Sequence, residues 1–253
     1  MRFRKNILLV SLVGLIGVTG QVSGQVTEMR QKLYQSYITA DMKSWAEVLD
    51  EMEVMYSKSH SSQILYELTF AQYGYIAFCM VRDDKESARF YSKKAGENIK
   101  VLVEKSPDEA ALRALNGALY GLKAGIDPYK VMIYARKSIH ENELALQLDE
   151  GVANVWMEKG NLDFHKPDIF GKDVPGAIDS YTRAVQLFES SNQTAGNWMY
   201  LNTLVSLARA YTLQEEYRKA DDVYKKILAA EPGITWRRDR DYPRFRKKYL
   251  QSA

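Results

Sequence analysis

The chemistry-bearing residues closest together in this sequence are His165, Asp168 and Asp173, flanked by Phe164 and Phe170. An imidazole and two carboxylates could hold a metal ion or exchange a proton. One histidine with two loop aspartates nevertheless falls short of a structural metal site, which normally draws three or four ligands from fixed elements. The other histidines, His60 and His140, and the single cysteine, Cys79, lie far away along the chain. No Ser/His/Asp or Cys/His arrangement, phosphate-binding glycine loop or paired-His motif occurs. The chain is therefore expected to work without catalysis, metal or cofactor.

A second set offers recognition instead. Asn154, Met157, Asn161 and Phe164 recur at helical spacing, as do Asn202, Val205, Arg209 and Thr212. Asparagine donates and accepts, and the arginine fork matches a carboxylate. If the two helices are neighbours, Asn154, Asn161, Asn202 and Arg209 project into one groove able to take an extended peptide or an anionic group. The plainer reading is a solvated polar helix face. The 165–175 segment, with Phe170 at its centre, reads as a structural turn or as a partner-contacting loop on a rigid scaffold.

The elements that must carry these residues are helices. Apolar periodicity near 3.6 dominates from residue 26 onward, and no alternating β-branched run interrupts it. Prolines at 107, 128, 167, 175, 232 and 243 suit helix starts, loops and positions past helix ends. Ser106-Pro107-Asp108-Glu109 and Asp127-Pro128 read as capped N-termini. Five antiparallel helical pairs result, at 26–58, 61–105, 107–149, 150–190 and 196–232, and a segment at 233–253 caps the last. Such periods mark hairpins that bury their apolar faces against one another, so contacts should fall mainly between neighbours. The small stripe Ala111, Ala114, Ala118 and Gly121 in the third pair reads as a close helix contact, or otherwise as the lining of a cavity.

The last pair matches the tetratricopeptide (TPR) pattern W-x2-L-G-x2-Y, A-x3-F, P. Leu204, Leu207, Ala208 and Tyr211 fill its first helix, and Ala220, Tyr224, Ile227 and Pro232 follow at the matching intervals. Trp156, Gly160, Ala177, Tyr181 and Ala184 repeat the pattern around a longer turn. The chain thus resembles TPR proteins, which implies an all-α, right-handed α-α superhelix of about five hairpins with partner binding on its concave face. Phe170-Gly171-Lys172-Asp173, Ala177-Ile178 and Pro232-Gly233-Ile234-Thr235-Trp236 are also similar to exported TPR proteins of the TatT type, which accompany TRAP-type solute transporters. Lys172 stands where that group has a second glycine, and the lipobox cysteine of such lipoproteins is missing.

Compartment follows from the first residues. Arg2, Arg4 and Lys5 precede the uncharged stretch Ile7 to Val18, and small-residue sites end at Gly20 and Gly24. This is the order of a secretory signal peptide over 1–24, leaving 25–253 as one helical-repeat domain, soluble in a Gram-negative periplasm. Cleavage removes three bases and no acids, so 32 Lys+Arg would face 32 Asp+Glu. The basic balance that would favour nucleic acid disappears, and a protein or peptide partner is expected instead. A solute- or lipid-binding accessory role is the alternative, with a small hydrophobic or anionic ligand lodged near Met157, Phe164 and Phe170. The segment 236–248 carries seven bases and two acids among aromatics; it reads as a cap on the last repeat, with contact to a membrane surface as the other reading.

Overall fold

A computed structural model describes residues 10–250, with side chains from Ser23 onward. The basic n-region of the expected signal peptide lies outside the described residues. Eleven α-helices follow, with no strand among the described residues: α1 Val10–Thr39, α2 Met42–Ser59, α3 Ser62–Val81, α4 Lys85–Lys105, α5 Ala110–Ile126, α6 Val131–Leu148, α7 Ala153–His165, α8 Val174–Ser190, α9 Trp198–Leu213, α10 Tyr217–Ala230 and α11 Tyr242–Tyr249. Single 3-10 turns at Pro128–Lys130 and Asp168–Phe170 precede α6 and α8, and a π-helical turn at Arg237–Asp241 precedes α11. The five expected pairs are therefore present. α3 is long and apolar enough to cross a membrane, yet 56% of that stretch is buried within the fold, so it is a core helix.

The hairpins close where small residues allow it. Ala88, Ala95, Ala177, Ala184, Ala208 and Ala220 are fully buried, so adjacent backbones approach without a large side chain between them. Gly160 lies flat against the buried Tyr181 ring: a Cβ there would stand 2.6 Å from Tyr181 carbons. Trp45 is fully buried and donates its Nε1–H to the Ala71 carbonyl at 3.1 Å, fixing α2 on α3. In the third pair Ala114 is fully buried and a Cβ at Gly117 would meet Asn142 at 2.5 Å. Of the small-residue stripe, Ala114 is buried in this close contact, Ala111 and Ala118 are half-buried, and Gly121 is exposed.

Turns repeat too. Ala40, Asp83 and Glu215, each just past a first helix, adopt left-handed backbone angles. In each case the next amide donates back five residues, from Asp41 to Ser36, Asp84 to Cys79 and Glu216 to Tyr211. Asp41, Asp84, Asp173 and Asn197 cap the helices that follow. Ser106 caps nothing; it ends α4, and α5 begins three residues beyond Pro107, after Glu109. Asp127 caps the short turn at Pro128–Lys130 rather than α6 itself.

Helices α1, α3, α5, α7 and α9 form the inner layer, each touching the next in that order, and α1 also touches α9. That last contact is a seam. Tyr34 donates to the Glu231 carboxylate at 2.5 Å, and Trp236 Nε1–H donates to the Tyr37 carbonyl at 2.9 Å. Tyr37 meets Trp236 edge-on at 5.6 Å and packs on Trp198 at 5.9 Å. The two ends of the stack are held together across nearly 200 residues, which neighbour-only packing did not anticipate.

Candidate functional site

The inner face is where the sequence placed its groove, and most of it is already occupied by the protein's own side chains. Tyr66, Phe70 and Tyr73 of α3 stack in series, and Phe70 also packs on Trp198 at 5.4 Å. Trp198 in turn meets Trp45 edge-on at 5.1 Å and rests over Gly74, where a Cβ would lie 2.9 Å away. Aromatic rings thus fill the space that a wider superhelix leaves to a partner.

The predicted recognition residues divide accordingly. Met157 and Val205 are buried in the core; they pack helices and present no surface to a partner, which corrects their assignment to the groove. Asn161 is a hub. Its amide N–H groups donate to Tyr73 Oη at 3.2 Å and Glu158 Oε2 at 3.0 Å, and its Oδ1 accepts from Tyr181 Oη at 2.8 Å. Asn202 accepts from the Tyr37 hydroxyl at 3.5 Å, and Asn154 hydrogen-bonds with Tyr66. These asparagines face inward as expected, but they join first helices to one another.

Glu158, which sequence reasoning passed over, lies at the centre of this network. Its carboxyl is buried, and Oε2 accepts from Tyr73 Oη at 3.2 Å while Oε1 has no partner. Desolvation pushes its pKa up to about 7, outweighing the Asn161 and Tyr73 hydrogen bonds that favour the anion. A lone glutamate on an amphipathic helix carries no signal for this role; its partner Tyr73 is 85 residues away.

The remaining predicted residues gather at the mouth of the inner face. Phe164 is half-buried, with Arg209 Cζ 5.7 Å and Lys172 Nζ 5.9 Å from its ring centroid. His165 meets the same ring edge-on at 4.8 Å. Part of the imidazole reaches solvent, yet its pKa is pushed down to about 4, first by burial and then by Arg209 and Lys172. Arg237 adds a further guanidinium beside them. Its pKa is lowered chiefly by burial, with the Arg209 charge acting in the same direction. Its Nη1 donates to Asp241 at 2.5 Å, and its buried Nε has no acceptor. Among the described residues no carboxylate pairs with Arg209 or Lys172. Phe170 is half-buried at the end of the short turn, where Gly171 takes φ +73° and Asp173 N–H donates to the Asp163 carbonyl at 3.0 Å. Asp163 is itself held by Lys159 and Lys166. Asp168 is exposed and Asp173 is committed to capping α8, so the 165–175 acids do not converge on His165. Among the described residues no group of His, Cys, Asp or Glu is placed to hold a metal ion.

No protein-family model and no curated protein matches this sequence. A solved structure does match in fold. The crystal structure of a thermophilic TPR protein from Thermus thermophilus superposes with a TM-score of 0.55 at 16% identity, covering 88% of this chain and 98% of that one. The fold is a TPR fold. It accounts for the inner layer of helices and for the repeated hairpin turns. The seam and the aromatic filling are observations on this chain's own residues. The accessible chemistry of the TPR concave face is concentrated where α7, the 166–173 turn and α9 meet: a guanidinium, an ammonium and an imidazole around one phenylalanine, with the Asp241-paired Arg237 stacked on Trp236 beside them. That arrangement can bind an anion against an aromatic surface.

Proposed function

We propose that this protein is a non-catalytic, exported TPR scaffold that holds an anionic segment of a protein partner at the Phe164–Lys172–Arg209 mouth. The observation that carries the reading is that Arg209 and Lys172 converge on one half-buried aromatic ring without a carboxylate partner. Guanidinium groups left unpaired beside an aromatic platform recognise carboxylates with charge-assisted hydrogen bonds and stacking. Export to a Gram-negative periplasm rests on the basic n-region and apolar stretch at the start of the chain. It is supported by packing: Gly24 is exposed whereas Val26 is buried, so the core engages just past the expected cleavage site.

Two of the three TatT-like segments border this mouth, since Lys172 faces Phe164 and Trp236 lies under Arg237 at 3.8 Å, next to Arg209. That placement supports a partner belonging to a solute-transport system. A ligand-carrying role would need an enclosed cavity near Met157, Phe164 and Phe170. Met157 is buried in packed core, and two open hollows of about 520 and 670 Å³ lie along α1 and α2, away from it. Partner holding is therefore preferred to ligand carrying. Crosslinking with mass spectrometry in the native host tests it: a defined partner is captured by the wild-type chain and lost on the double substitution Arg209→Glu, Lys172→Glu, with helical content unchanged. Equal capture by both proteins would refute the assignment.

A further inference from the structure

A second surface lies on the edge where each first helix turns into its second. Successive helices are antiparallel, so the C-termini of α3 and α5 and the N-terminus of α6 share that edge; Met80 reaches Gly125, where a Cβ would meet its Cε at 2.5 Å. Here Tyr129 is 100% exposed, Val81 84%, Ile133 55% and Met132 43%. Behind them stands a cationic cluster. Lys123 and Lys137 both lie over the Tyr120 ring, at 5.5 and 5.2 Å, and Tyr120 stacks on Tyr134 at 6.3 Å. Lys123 is half-buried and its pKa is lowered by desolvation and by Lys137, so two like charges are held close over one ring. Among the described residues no carboxylate pairs with Lys123, Arg136 or Lys137, whereas Lys130 pairs with Asp127 at 3.6 Å.

The order of these residues along α6 decides what they fit. Met132 and Ile133 precede Arg136 and Lys137 by one helical turn on the same face, which sets the charges about 6 Å behind the apolar tips along the axis. A protein partner would have to supply a pocket for each protruding side chain. A bilayer surface needs none: apolar tips enter the headgroup boundary to a depth of about 5–10 Å and the cations meet phosphates above it. We propose that the Pro128–Lys130 turn and the start of α6 dock this protein onto an anionic lipid bilayer. This surface is distinct from the Phe164 mouth and does not depend on what binds there.

Vesicles of phosphatidylcholine, with or without phosphatidylglycerol, provide the probe. The wild-type chain should co-sediment with the phosphatidylglycerol vesicles and be released by salt. The double substitution Arg136→Gln, Lys137→Gln should weaken partitioning by roughly 30-fold, since each cation near the surface contributes about a factor of five. The pair Arg244→Gln, Arg246→Gln in the C-terminal segment should leave it unchanged. A fluorophore on Tyr129→Cys reports insertion directly, because the only other thiol, Cys79, is buried; its emission should shift to the blue on these vesicles. No binding by the wild-type chain, loss on the C-terminal pair instead of the α6 pair, or a blue shift produced only by a periplasmic protein fraction would each overturn the proposal.

Discussion

Replacing Glu158 by glutamine tests whether the inner face is a closed, desolvated interior. In the folded protein the carboxyl pKa is near 7 against an ordinary value of 4.5, and burial is the main cause. The folded state therefore binds a proton more tightly than the unfolded chain, so stability is fully present below the unfolded value. It is lost as pH rises from about 4.5 to about 7. At 1.36 kcal/mol per pH unit the loss reaches about 3 kcal/mol, or roughly 6–12 °C in Tm for a chain of this size. Glutamine keeps an acceptor for Tyr73 and Asn161 but cannot ionise; its unpaired amide N–H adds a cost that does not change with pH. His165 moves stability the opposite way in nearly the same interval, because its depressed pKa favours the folded state as pH rises towards 6.5. That contribution is common to both proteins and cancels in their difference. Urea unfolding at about pH 4.5 and about pH 7.5 should show the variant gaining about 3 kcal/mol on the wild type between the two conditions. A difference that stays constant with pH would refute the claim that this carboxylate is buried in the native state.

Two further outcomes follow from packing. Gly160→Ala forces a Cβ to within 2.6 Å of the fully buried Tyr181 ring, which is anchored through its hydroxyl; overpacking of about 1–3 kcal/mol outweighs the roughly 1 kcal/mol gain in helix propensity, so the urea midpoint should fall. Combining Tyr34→Phe with Trp236→Phe removes the two shorter hydrogen bonds of the seam, at about 1 kcal/mol each, and leaves the longer one from Tyr37 to Asn202. Amide exchange should accelerate roughly 5- to 30-fold in α1 while α5 and α6 keep their rates, and uniform acceleration would show that the seam is not a local clasp.

Hairpin boundaries were legible because apolar period and small residues report which faces meet: Ala177 with Tyr181, and Ala208 with Ala220, mark their pairs directly. The repeated left-handed turns were not, because Ala40, Asp83 and Glu215 share a backbone conformation without sharing a side chain. Periodicity also assigned Asn154, Asn161 and Asn202 to the correct inner face. It could not report how tightly that face is wound, since curvature accumulates from small rotations between hairpins. Asn161 therefore satisfies Tyr73, 88 residues away, rather than a partner, and Met157 and Val205 fall on the buried side of the same helices. Ser106 misled as a cap because Pro107 fits equally well in the loop before α5. Arg209, Phe164 and Lys172 were visible singly; only folding of the 166–173 turn brings them together.

The join between α1 and the Glu231–Trp236 segment has a consequence for how such a molecule can change over generations. An open row of hairpins tolerates duplication or loss of a unit at its end, since each unit leans only on the one before. Here an added or deleted hairpin would move Tyr34 and Tyr37 away from Glu231 and Trp236 and expose the indole of Trp198 to water. The number of units is thereby locked, and variation is confined to loops and outward faces, where α6 and the turn after α7 already carry the unpaired charges.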